Sequence, residues 1–368
     1  MNPDFPDIAR QFRFEGEFLD AEPIYSGHIN DTYAARFRQS GGIVRRYLLQ
    51  RINHHVFRSP EKVMSNISAI TAHLQQKILD AGGDPERETV NLVATVDGDI
   101  VHQTSKGHWW RAALFIEGAQ THETAPTSEG VNQVAWAFGR FQGMLSDFPA
   151  DQLNETIPDF HDTPKRYAAL LEAVDNDVHN RAASVRSEIE FVEQRASELS
   201  ILVALAEQDK LPLRVTHNDT KTNNVMIDDQ TGCAICIIDL DTVMPGLSLY
   251  DFGDMVRSGA SLAAEDEQDL SRVTFNLDRF EHLVMGYLAA AQELLTPLEI
   301  DCLPFSAKLM TLECGMRFLT DHLNGDRYFR IHRPNHNLDR CRNQFKLVVD
   351  MEEHFRHLVH LVEKHRPR

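Results

Sequence analysis

Long apolar runs are missing from this chain of 368 residues. No stretch approaches eighteen consecutive apolar residues, so the sequence offers no membrane span. The start "MNPDFPDIARQF" has no basic cluster followed by an apolar run, and no signal peptide is expected. Positive charge is also short. Lys and Arg total 37 against 55 Asp and Glu, a formal net charge of −18, which argues against nucleic acid or an anionic membrane as a partner. It does not argue against a nucleotide, for which a few local cations and a metal suffice. Five cysteines in so long a chain make no disulfide framework, and the expected compartment is the cytosol. Internal repeats and low-complexity linkers are absent as well.

What is present suits a globular protein with two lobes. Apolar residues make up 42% of the chain, and its length exceeds what one hydrophobic core usually supports. Residues 21–57 alternate as strands do. A helix is expected over 60–81, with Ser59 as its cap, Pro60 in its first turn, an apolar stripe of Val63, Ile67, Ile70, Leu74 and Ile78, and Gly82-Gly83 at its end. Further strands follow in "TVNLVATV", "DIVHQT" and "HWWRAALFI". From residue 128 helical spacing dominates, beginning with Val131, Val134, Phe138, Phe141 and Leu145. Long helices are expected over about 182–207 and 339–364, and "AEDEQDL" (264–270) reads as an acidic helix start. The expected class is α+β, with a strand-rich lobe over 1–117 and a mainly helical lobe over 118–368.

The richest polar chemistry lies in "VTHNDTKTNNVMIDDQTGCAICIIDLDT", residues 215–242. It reads as loop, short strand, tight turn at Gly232, apolar strand and loop. Such a hairpin returns Asp239 to the neighbourhood of Asp219 and Asn224. Phosphoryl transfer uses such a group: one carboxylate orients the acceptor hydroxyl and takes its proton, while a carboxylate and an amide hold the magnesium. His217, Asp219 and Asn224 keep the spacing of the kinase catalytic loop, H-R-D-x-x-x-x-N, with Asn218 where the arginine would stand. Asp239 ends the second hairpin strand, where the metal-binding Asp belongs. "YDFGDMVR" carries the letters D-F-G, but Asp251 lies twelve residues beyond that strand end. It is expected instead to brace the catalytic loop through backbone N–H groups. An Asn- and Asp-rich turn without catalytic function would carry many of the same residues.

The set "SGHINDTY", "RVTHNDTKTNN", "IIDLDTVMPG", "DFGDMVR", "LPFSAKLMTLECGMRF" and "HDTPKR" resembles the aminoglycoside-phosphotransferase-like kinases and, within them, the N-acetylhexosamine 1-kinases. The resemblance extends over nearly the whole chain. "LECGMRFLTDHLNGDRYF" is its most specific part. It implies a protein-kinase-like fold and ATP- and magnesium-dependent phosphorylation of the anomeric hydroxyl of N-acetylglucosamine or N-acetylgalactosamine. It further implies Asp219 as base and sugar contact, Asp239 as magnesium ligand, and His28, Arg317 and Tyr328 as sugar contacts.

Other residues join the expected site. Asn224 is the second metal ligand, and Lys221 could offset charge on the transferred group. "SGHIN", with Gly27 and Asn30, could cover phosphates, although a plain hairpin turn would look similar. "FIEG", with Phe115, Ile116 and Glu117, suits a hinge that binds adenine or an ordinary interlobe turn. The lysine that most relatives carry on the third strand is missing. Gln50 and Arg51 stand there, and alternation turns one of them inward. Ser258 stands where an aromatic is expected, which bears on sugar preference. Cys233 and Cys236, three apart on a strand, are expected in the core and not on a shared metal. His354, His357 and His360 read as a solvated helix face. The rival readings are a kinase of another small alcohol (aminoglycoside, choline or homoserine type) and an inactive kinase-like binding protein.

Overall fold

The computed structural model describes residues 3–24 and 29–366. After a short helix α1 (Phe5–Ala9) the chain forms an antiparallel meander, β1 (Glu17–Ile24), β2 (Asp31–Arg38) and β3 (Val44–Ile52). Helix α2 (Pro60–Asp80) and a single turn α3 (Pro85–Glu88) follow. Next come β4 (Leu92–Val93), β5 (His102–Gln103) and β6 (Trp109–Leu114), all joined to the same sheet, in the order β1-β2-β3-β6-β4 with β5 also on β6. The expected apolar stripe of α2 is buried throughout. Ser59 begins the helix, but its side chain makes no capping bond. Gly82, at φ +76°, lets the chain turn out of the helix.

The next strand, β7 (Ala119–Gln120), joins a different sheet. Helices α4 (Ser128–Met144), α5 (Thr163–Asn176), α6 (Arg186–Glu193) and α7 (Ile201–Glu207) lead to β8 (Arg214–Thr216). The expected hairpin is β9 (Val225–Asp228) and β10 (Ala234–Ile237), turning at Gly232 with φ +71°. β7 adds to its edge through Ala119↔Asp228, and β11 (Met244–Gly246) pairs with β8. Helices α8 (Ser248–Gly259), α9 (Leu277–Ala291), α10 (Pro297–Leu323), α11 (His336–Glu353) and α12 (Phe355–His365) complete the fold.

Four local expectations are corrected. The helix expected over 182–207 breaks at Arg195, whose guanidinium pairs with Glu352 and lies 3.6 Å from the Phe191 ring centre. The helix expected over 339–364 starts earlier, at His336, and breaks at His354; the bend keeps Leu358, Leu361 and Val362 buried. Residues 264–269 form a loop, since Glu265 is drawn to Arg257 and Arg340 and the Ala264 carbonyl accepts from Asn343. Cys236 is buried, but Cys233 is exposed rather than in the core. His354, His357 and His360 are solvent-exposed.

The G of "DFGD" has a packing role. A Cβ at Gly253 would lie 2.4 Å from Met310 Cγ and 2.5 Å from the Ser306 carbonyl oxygen, so α8 and α10 cross in contact there. Gly253→Ala is expected to cost about 1–3 kcal/mol through overpacking. Urea denaturation measures it, and an unchanged midpoint would show that the crossing is looser than described.

Candidate functional site

The segment 217–220 is held from three directions. His217 and Asn218 donate their backbone N–H groups to Asp251 at 2.9 and 2.7 Å, and Gln142 of α4 donates to the same carboxylate at 2.6 Å. Asp251 is fully buried. Burial raises its pKa, against the pull of His217 and the backbone donors. Asp254, one helical turn on, accepts the Thr220 N–H at 2.8 Å. From the opposite side His161 bridges the Asn218 carbonyl (3.1 Å) and Glu313 of α10 (2.7 Å). Asn218 takes φ +64°, a conformation Asn tolerates well, and its amide donates to the Thr242 carbonyl at 2.9 Å. His217 Nε2 faces the Ile238 carbonyl at 3.0 Å, which can only accept, so that nitrogen carries the proton; Nδ1 accepts from the Asp219 N–H at 3.3 Å.

This scaffold brings Asp219, Lys221, Asn224 and Asp239 into one cleft of about 880 Å3. Lys221 Nζ lies 2.9 Å from Asp219 Oδ1. Burial works against both charges but is outweighed by their attraction. Asp219 is held below its usual range, and Lys221 is pushed up with help from Asp254 and Glu265. The Asn224 amide nitrogen donates to the Asp219 carbonyl at 2.8 Å, leaving its oxygen without a donor among the described residues. Asp239 follows β10 at φ +60°, and its carboxylate likewise has no hydrogen-bond donor there. Solvent reaches this side chain, yet it lies deep among protein atoms. Desolvation, then the like charges of Asp241 and Asp219, push its pKa up to about 6. Two hard oxygen groups without protein partners fit a magnesium ion, which keeps water and phosphate oxygens as its other ligands. No group of three or more His, Cys, Asp or Glu that could hold a metal occurs among the described residues, in this cleft or outside it.

At one end of the cleft Phe115 and Ile116 line the wall just after β6. Glu117 instead turns its side chain to Arg46, which lies 3.9 Å from the Phe115 ring centre. Of the two residues on β3, Gln50 faces the cleft. Arg51 does not; it pairs with Asp31. Asn30 lies in the cleft wall, its amide bonded to Asp241 at 2.6 Å and to the Asn53 N–H at 2.9 Å. Gly27 and His28 lie outside the described residues.

At the other end stand Arg317 of α10 and Tyr328, brought together by the stop at Asn324-Gly325. Asp321 does not pair with Arg317. Its carboxylate accepts the backbone N–H groups of Arg327, Tyr328 and Phe329 at 2.8–3.0 Å and shapes that loop. Arg317 makes no hydrogen bond or ion pair among the described residues; its guanidinium lies 4.7 Å from the Phe160 ring centre. Ser258 lines the same end. So does an alternating network that spacing alone did not reveal. Arg257 bonds Asp254 and Glu265, and Glu265 also bonds Arg340, which rests 3.8 Å from the Phe318 ring centre.

Comparison with known proteins places this geometry. The model of the phosphotransferase enzyme family (APH) matches residues 20–285. The chain belongs to this family. Among solved structures, an aminoglycoside phosphotransferase from Alicyclobacillus acidocaldarius superposes with a TM-score of 0.60 at 14% identity, covering 99% of this chain and 98% of that one. An amicoumacin kinase in complex with AMP-PNP gives 0.57 at 12% identity (95% and 92% covered), and a choline kinase from Cryptosporidium parvum 0.53 at 13% (96% of each). The fold is therefore the α+β, protein-kinase-like fold of the APH phosphotransferases, strand-rich at its start and mainly helical after. Sequence reasoning missed Arg111, which lines the phosphotransferase cleft, and its buried partner Asp241. A signal existed: Arg111 is the one charge in the apolar strand "WWRAALF", where a charge is paired or functional.

Two carboxylates in this phosphotransferase are expected to separate by experiment. Asp239→Asn should raise the magnesium requirement sharply, and Asp251→Asn should mainly lower thermal stability; a magnesium titration of both checks it, and the reverse pattern would show the metal at Asp251. Asp239 also carries a pH signature. An acid raised from 3.8 to about 6 in the fold binds protons more tightly folded than unfolded, so its contribution to stability is full below pH 3.8 and is lost as pH rises toward 6. In metal-free protein Asp239→Asn should flatten stability across that window, read by thermal melts at stepped pH.

Proposed function

We propose that the protein transfers the γ-phosphoryl group of ATP to the anomeric hydroxyl of an N-acetylhexosamine, N-acetylglucosamine or N-acetylgalactosamine. Residues 1–117 would carry most of the nucleotide site and residues 118–368 the catalytic loop and acceptor site. Arg317 carries the acceptor reading. It is a guanidinium with unused donors, set where the acceptor would lie, and the neighbouring carboxylates are already engaged. Asp254 and Glu265 bond arginines, and Asp266 lies near Arg333 and His336. Such a wall suits ring hydroxyls and an acetamido oxygen. It disfavours a cationic amino alcohol, which would need a free carboxylate and would meet Arg317 instead. A second reading, a kinase of a small amino alcohol, draws on structural neighbours described as choline and aminopropanol kinases.

In this mechanism the Asp219 carboxylate orients the acceptor hydroxyl and takes its proton, while Lys221 offsets charge on the group in transfer. Asn224 and Asp239 would hold the magnesium, which when bound neutralises the phosphate oxygens. Backbone groups near Phe115 and Ile116 would take the adenine. The reaction needs little covalent help from the protein, so rigid placement of Asp219 supplies most of what it contributes.

Asp219→Asn should retain ATP and acceptor binding and lose turnover by about 10²–10⁴-fold. Retention of more than about a tenth of the wild-type rate would remove Asp219 as the base. A panel of free sugars, amino alcohols and aminoglycosides, assayed by ATP-dependent phosphorylation, decides the acceptor. Arg317→Ala should raise KM for N-acetylhexosamine by about tenfold or more with KM for ATP unchanged, since a charged hydrogen bond contributes about 1.5–3 kcal/mol. Unaltered sugar kinetics, or preference of the wild type for a cationic acceptor, would promote the second reading.

A further inference from the structure

One buried cation in the cleft has no part in the mechanism above. Thr32, Gln50 and Arg111 stand directly opposite one another on three adjacent strands, Thr32↔Gln50 and Gln50↔Arg111, and so share one face of the sheet. They are linked in a row. Gln50 Nε2 donates to Thr32 Oγ1 at 3.0 Å, and Arg111 Nε donates to Gln50 Oε1 at 2.9 Å. Arg111 Nη1 donates to Asp241, which also accepts from Asn30 at 2.6 Å. Arg111 is 6% exposed and Asp241 1%.

A guanidinium has five N–H groups in a fixed plane. Here Nε and Nη1 are engaged, whereas Nη2 has no partner among the described residues. Arg111, Gln50, Thr32 and Asn30 all line the cleft that also holds Asn224 and Asp239. One edge of the guanidinium is thus anchored and its remaining donors are free, which makes a preorganised site for an anionic oxygen. The third strand supplies no cation to this cleft, because Arg51 pairs with Asp31 away from it.

We propose that Arg111 binds the phosphate oxygens of the nucleotide in place of the missing third-strand lysine, with Gln50 and Asp241 as the positioning residues that aim it. This rests on the reading of the protein as an ATP-dependent kinase. A buried ion pair can also be purely structural, so the test separates phosphate binding from folding. Calorimetric titrations of ADP and of adenosine are compared for the wild type and for the double variant Arg111→Gln/Asp241→Asn, which removes both charges and leaves neither orphaned. ADP affinity should fall by about tenfold or more while adenosine affinity stays within about twofold. Arg111→Lys should retain part of the preference for ADP, and Arg51→Gln should retain all of it. The proposal is overturned if the double variant keeps the wild-type ADP-to-adenosine ratio, or weakens both ligands equally. A wild type that binds neither ligand removes the kinase reading and this inference with it. Should the double variant fail to fold, a structure of the wild type with ADP decides. A phosphate oxygen within about 3.2 Å of Arg111 Nη2 supports the assignment, and phosphates all beyond hydrogen-bond reach refute it.

Discussion

The site depends on one buried carboxylate. Asp251 accepts the Gln142 amide and two consecutive backbone N–H groups of the loop that carries Asp219. Without it those donors would sit in the core unsatisfied, at about 1–3 kcal/mol each. The cost of burying the acid is offset because each donor gives it a partner it would otherwise find in water. Because the two N–H groups belong to His217 and Asn218, their bonds fix the chain immediately before Asp219. The His161 bridge to Glu313 holds the next peptide, Asn218–Asp219, through its carbonyl. Asp219 then needs no close packing of its own and stays open to the cleft.

The second theme is local compensation of charge. The chain as a whole is strongly acidic, yet the cleft gathers Arg111, Lys221, Arg257, Arg317, Arg330 and Arg340. Four of these six have an acid partner, and Arg317 and Arg330 have none among the described residues. Interactions at contact distance in a partly dry cleft outweigh those from distant surface acids, which salt screens within about 8–10 Å. A net charge of −18 is therefore compatible with a site for a polyanion. Desolvation, with two other carboxylates close by and no hydrogen-bond donor among the described residues, makes Asp239 the acid whose pKa rises to about 6.

The fold was most legible where structure is local. The α2 stripe, the turn at Gly232, the hairpin that returns Asp239 to Asn224, and the stop at Asn324-Gly325 each follow from side-chain period or backbone preference within a few residues. Three of the four failures share the opposite property. Arg195 bends its helix by reaching Glu352, 157 residues on. The segment 264–269 has the composition of a helix start, but Glu265 is claimed by two arginines that local reasoning cannot place. The long C-terminal helix breaks at His354 because a straight one would carry Leu358, Leu361 and Val362 away from the core.

By itself the sequence determined the chemistry available: the spacing of Asp219 and Asn224, the strand end at Asp239, and a D-F-G triplet twelve residues beyond that strand end. These are properties of neighbours in the chain. Tertiary structure decided which charges remain free. It set Arg51 against Asp31, put Gln50 in the cleft, brought Arg111 from another strand to Asp241, and drew Asp321 to the 327–329 loop so that Arg317 has no acid partner among the described residues. The charge state and reach of a side chain depend on which groups surround it in space, and those groups come from segments tens to hundreds of residues away.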